Sequence, residues 1–80
     1  MKLWLSNIAP DTTDEEIKDL VRRYAPGLTC TGIQRVDSKS RPAAMLEFSG
    51  EQAGALEKLS QRLNGMYWKS HALASEPVVL

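Results

Sequence analysis

The sequence has a single cysteine, Cys30, and a single histidine, His71, among its 80 residues. One thiol excludes an intrachain disulfide, and the two residues together cannot supply the ligand set of a zinc site, so no metal or other cofactor is expected. A reducing compartment follows, with the cytoplasm as the expected location. Neither sign of charge is in excess, because ten Lys and Arg balance ten Asp and Glu. The uniform pull of a basic chain on a polyanion is therefore lacking, and any nucleic-acid contact has to come from local arrangement. No apolar stretch approaches the ~18 residues of a membrane span, and Met1-Lys2-Leu3-Trp4-Leu5-Ser6-Asn7 is far shorter than a signal-peptide core. The sequence also lacks a paired nucleophile and base and a glycine-rich phosphate loop, so an enzyme is not expected. Its length suits one domain, residues 1–80, with a modest core.

What is present is strong periodicity. Lys2, Leu3, Trp4, Leu5 and Ser6 alternate with the period of a strand, which puts Leu3 and Leu5 on the buried side and Trp4 on the other. Thr13 followed by Glu16 is a capping box opening a helix, and Asp14-Glu15-Glu16 suits the positive end of its dipole. Ile17, Leu20, Val21 and Tyr24 form one apolar stripe, and Pro26-Gly27 stops the helix. Apolar and β-branched residues up to Val36 indicate a second strand, whose faces are ambiguous because Gly32 interrupts the alternation and marks a bulge. Asp37-Ser38-Lys39-Ser40 reads as a turn. In the next strand Ala44, Leu46 and Phe48 share one side, with Ala43, Met45 and Glu47 on the other.

A second helix opens at Ser49-Gly50-Glu51, carries Ala53, Leu56, Leu59 and Leu63 at helical spacing, and ends at Asn64-Gly65. Trp68 is expected in the core and Tyr67 outside it, and Glu76-Pro77-Val78-Val79-Leu80 reads as an irregular tail. The expected elements are thus strands at about 2–7, 29–36, 41–48 and 71–75, with helices at about 14–25 and 51–64. This order implies an α+β fold, a ferredoxin-like βαββαβ sandwich in which two helices cover one face of a four-stranded antiparallel sheet. The other face stays open, and function belongs there.

Over nearly its whole length the sequence resembles the RNA-recognition-motif family. Leu3-Trp4-Leu5-Ser6-Asn7-Ile8 is similar to the family's hexamer on the first strand, and Arg41-Pro42-Ala43-Ala44-Met45-Leu46-Glu47-Phe48 to the octamer on the third. Leu63-Asn64-Gly65 matches the family's exit from the second helix. The resemblance implies binding of single-stranded RNA on the open sheet face, where members stack bases on one aromatic of the hexamer and two of the octamer. Here only Trp4 is kept, because Ala43 and Met45 take the other two positions and Pro42 stands where glycine is usual.

The expected contact residues are therefore Trp4, Lys2, Ser6, Ala43, Met45, Arg35, Lys39 and Arg41, with hydrogen bonds from His71 and Ser75 as a further option. Stacking contributes ~1–3 kcal/mol per base, so two missing platforms imply weak binding with limited sequence preference. Dividing the charges by expected face leaves the strands, loops and tail positive, counting Lys2, Arg35, Lys39, Arg41 and Lys69 there. Two alternatives stay open at this point. Trp4 could be covered by the tail through Val78, Val79 or Leu80, or the apolar face could serve a protein partner or a second copy of the chain.

Overall fold

The computed structural model describes residues 1–36, 42–49 and 54–78. Strand β1 (Lys2–Ser6) is followed by helix α1 (Asp14–Tyr24), strands β2 (Thr29–Val36) and β3 (Ala43–Ser49), and helix α2 (Ala55–Leu63). A short hairpin of β4 (Tyr67–Trp68) and β5 (His71–Ala72) then leads into β6 (Ala74–Val78). The main sheet is antiparallel with order β2-β3-β1-β6, so β1 and β3 are central. This is the expected sandwich of two helices on a four-stranded sheet.

Each element has a local cause. The Thr13 hydroxyl accepts from the Glu16 amide at 3.2 Å while the Glu16 carboxylate accepts from the Thr13 amide at 2.9 Å, which completes the capping box of α1. Ile17, Leu20 and Val21 from α1 and Leu56, Leu59 and Leu63 from α2 meet Leu3, Leu5, Ala44, Leu46 and Phe48 from the central strands. Leu3, Leu5 and Leu46 are completely inaccessible, as their alternation required. Trp68 packs against this core while Tyr67 is 75% exposed, both as expected.

The second helix differs from its expected start at residue 51. Gly54 has φ +77°, a left-handed conformation that cannot continue an α-helix, so α2 begins at Ala55. The rest of the expected opening, Gly50 to Ala53, lies outside the described residues. At the other end, Gly65 is left-handed at φ +82° and its amide donates to the Leu73 carbonyl at 2.7 Å, while the Asn64 side chain accepts from the Ser75 amide at 3.1 Å. The Leu63-Asn64-Gly65 exit thus ties α2 to the last strand.

That last strand also shifts from its expected place. His71 and Ala72 pair with Trp68 and Tyr67 in the hairpin, and the strand that joins β1 runs from Ala74 to Val78 instead of 71–75. The hairpin turns through Lys69 and Ser70, both at positive φ, which is the geometry of a tight two-residue turn without its usual Asn-Gly signature. Pro77 sits inside β6 and not in an irregular tail, because β6 is an edge strand whose outer side needs no ladder hydrogen bond.

Candidate nucleic-acid interface

The register of the sheet defines its open face. Trp4 lies directly across from Met45, Lys2 from Glu47, and Ser6 from Ala43. On the β6 side the same residues face Glu76, Val78 and Ala74. On the β2 side Met45, Glu47 and Ala43 face Gln34, Gly32 and Val36. Trp4 and Met45 are half-buried by their neighbours on this face and do not belong to the core on the other side. They form an apolar centre flanked by Gln34 and Glu76.

Asn7 explains how β1 ends. It adopts φ +59°, which asparagine tolerates better than most side chains, and its amide donates to the Ala72 carbonyl at 2.8 Å. The strand therefore stops after Ser6, and the hairpin is pinned beside its end. The bulge in β2 settles the faces that the sequence left ambiguous. Cys30 is across from Phe48 and Gly32 from Glu47, so Thr31 is the extra residue and the alternation is reset. Cys30 and Ile33 consequently both pack toward the core, although strict alternation would separate them. Burial pushes the Cys30 thiol above its ordinary pKa, and its Sγ donates to the Gly32 carbonyl at 3.6 Å.

The same reset moves Arg35 off the open face. Its partner Ala44 is a core residue, and the guanidinium reaches the Thr12 carbonyl at 2.9 Å and Asp14 at 3.1 Å on the helix side. Arg35 is therefore a brace between β2 and the start of α1, and not the contact expected of it. Ser75 is likewise on the helix side, bonded to Ser60 at 3.3 Å. Lys69 also leaves the sheet-side group. It lies 3.4 Å from Asp11 and 3.0 Å from Glu16, which ties the hairpin to the start of α1. The Thr13 amide first, and Lys69 second, hold the Glu16 carboxyl below its ordinary pKa, and Glu16 in turn raises that of Lys69.

Lys39 and Arg41 lie outside the described residues. Of the expected contacts, Trp4, Lys2, Ser6, Ala43 and Met45 are brought to one face, but Ala43 is only 3% exposed between Ser6 and Val36. It is floor, not a contact surface. Val78 is beside Lys2 as a residue of the edge strand and not part of a tail lying over the sheet, while Val79 and Leu80 lie outside the described residues.

The charge expectation is corrected for Arg35 and Lys69, while its Lys39 and Arg41 part lies outside the described residues. Among the described strand residues the open face carries Lys2, Glu47 and Glu76, and Lys2 lies 3.7 Å from Glu47. The positive side therefore does not come from these strands. Gln34, Gly32 and Glu76 were missed as members of the face, and the only signal for the first two was the bulge at Gly32. Because Gly32 has no side chain, Lys2, Gln34, Met45 and Glu47 rim a small hollow of about 190 Å³ beside Met45.

An open antiparallel sheet face, with helices on its other side and an aromatic at the centre of β1, defines the class as a small α+β sandwich of βαββαβ order. The family model for the RNA recognition motif matches residues 3–74, and the chain belongs to that family. The match spans most of the sequence.

Among solved structures, the N-terminal three RNA-binding domains of the yeast splicing factor Prp24 superpose with a TM-score of 0.75 at 20% identity, covering 94% of this chain and 31% of that one. The chain thus spans about a third of that three-domain structure. The third RRM domain of Mip6 superposes with a TM-score of 0.75 at 19% identity, over 96% of this chain and 91% of that one. The RRM of Rna15, a structure with bound GU RNA, gives 0.71 at 20% identity over 94% of this chain and 79% of that one. At these identities the likeness is one of fold. No curated protein sequence matches the chain.

Proposed function

We propose that the chain binds single-stranded RNA on the open sheet face, with Trp4 as its stacking residue. The observation that carries this reading is the Trp4–Met45 pair at the centre of that face, in a chain that belongs to the RNA recognition motif family. A base stacks on the indole, Met45 supplies a polarisable neighbour, and Gln34 and Lys2, the latter turned from Glu47, make polar contacts at the rim. The RNA bound to the related Rna15 domain supports the ligand class. With one aromatic where three are usual, binding is weak and tolerant of sequence.

The test is a titration of wild type and Trp4→Ala with short single-stranded RNA, followed by chemical shifts. Loss of one stacking platform lowers affinity by ~1–3 kcal/mol, or about 5- to 150-fold, while the shifts of core residues stay unchanged. Equal affinity of the two proteins would remove Trp4 from the site.

One observation favours a second reading, a protein-interaction module on the same face. Glu76 lies directly across from Trp4, and Lys2 is occupied by Glu47, so the described strands offer an anionic ligand little attraction. Sedimentation showing a dimer, with Trp4 shielded from quencher in the absence of RNA, would favour self-association.

A further inference from the structure

The ion pairs divide the cations among the described residues in an uneven way. Lys2, Lys18, Arg22, Arg35 and Lys69 each have a carboxylate partner. Arg23, Lys58 and Arg62 make no ion pair with any acid among the described residues, and all three line the same groove between α1 and α2. The groove holds about 570 Å³ and is completed by Tyr24 and Gln61. It lies on the helical layer, on the opposite side of the molecule from Trp4.

Its construction follows from the helices. Arg23 is in the last turn of α1, where the dipole favours a cation. Lys58 and Arg62 are four residues apart on α2 and therefore share a face. Tyr24 is anchored in the core, and the Arg62 guanidinium lies 5.0 Å from its ring centroid. Stacking of this kind holds the planar fork of Arg62 in place while leaving its N–H edge free to meet a carboxylate.

We infer that this groove docks an acidic segment of a partner protein. Three cations converge from two helices with no acid among the described residues that line the groove, Glu16 and Asp19 lying on the other side of Arg23. They match a run of carboxylates, and Gln61 adds an amide for the backbone or side chains of such a segment. A peptide suits the site better than a nucleic acid. The one aromatic ring among the described groove residues already has the Arg62 guanidinium over it, so a base entering the groove would have to displace that cation to stack. Docking here leaves the open sheet face free, and the inference does not depend on what that face binds.

The experiment is a chemical-shift titration with a Glu/Asp-rich peptide of about twelve residues, run beside one with a pool of single-stranded oligonucleotides. The peptide is expected to move the signals of Arg23, Tyr24, Lys58, Gln61 and Arg62, to leave Trp4 and Met45 unmoved, and to weaken as salt is raised. Arg23→Glu lowers its affinity by roughly tenfold, while Lys18→Glu, the same charge change elsewhere on α1, does not. Lys58→Glu, on the exposed side of α2, repeats the test if the first variant fails to fold. No movement of the groove residues, equal weakening by Lys18→Glu, or movement of the groove by oligonucleotide and not by peptide would each overturn the inference.

Discussion

Met45 and Leu46 are adjacent in β3 and nearly alike in size and polarity, but they face opposite sides of the sheet. Leu46 is fully enclosed by both helices' apolar stripes, whereas Met45 is half-buried between Trp4 and Gln34. The helix-facing side is largely paired within itself: apolar groups meet apolar groups, Arg35 meets Asp14 and the Thr12 carbonyl through its Nη1, and Ser75 meets Ser60. Arg35 Nε and Thr12 Oγ1 are buried without a partner among the described residues. The open side keeps apolar area at its centre and carboxylates at its edge. One side makes the fold, and the other leaves apolar area in reach of solvent.

The sharpest way to break this contrast is to truncate both neighbours. Leu46→Ala should cost ~2–5 kcal/mol of stability through a lost side chain and a residual cavity, read by urea denaturation. Met45→Ala should change stability by less than about 1.5 kcal/mol, because the site is open to water and leaves no enclosed void. Equal losses would mean that the open face is part of the core after all. Filling the position sharpens the contrast in the other direction. Met45→Phe restores a platform at the octamer position and should tighten RNA binding by ~1–3 kcal/mol, or about 5- to 150-fold, in the same titration used for Trp4.

A smaller effect tests the polar bracing of the helix-facing layer. The Glu16 carboxyl is held below its ordinary value of 4.5, so its contribution to stability is present above that pH and is lost as pH falls through the lower, folded value. Lys69 is raised above 10.5, so its contribution is full below that pH and is lost as pH rises through the folded value. Denaturation midpoints measured across pH should fall at both ends in wild type. In Lys69→Met the acid-side loss should be smaller and the alkaline one should vanish. The smallest expected effect is on the open face: Glu76→Gln should improve RNA affinity by a few-fold at low salt and by less at high salt.

Much of the fold was legible because its signals are local. The Thr13 and Glu16 box, the parity of Leu3 and Leu5, and the Leu63-Asn64-Gly65 exit each act over a few residues, and each is found where the pattern put it. The candidate face was legible only in its central strands. Gly32 announced a bulge, but which residue was extra depends on how β2 pairs with β3, and that pairing sends Arg35 to α1. Lys69 read as a sheet-side charge because nothing near it in sequence reveals Glu16, 53 residues away. Pro77 argued against a strand, and only the edge position of β6 permits one.

Period and capping are properties of a short stretch of chain, so the residue order alone settled that Leu3, Leu5, Leu46 and the helical stripes would build a two-layer core with Trp4 on its far side. Register, edge position and long-range ion pairing join segments that are distant along the chain. Those terms decided that Glu76 and Gln34 flank the Trp4–Met45 pair, that Arg35 and Lys69 leave the sheet for α1, and that Arg23, Lys58 and Arg62 meet in one groove.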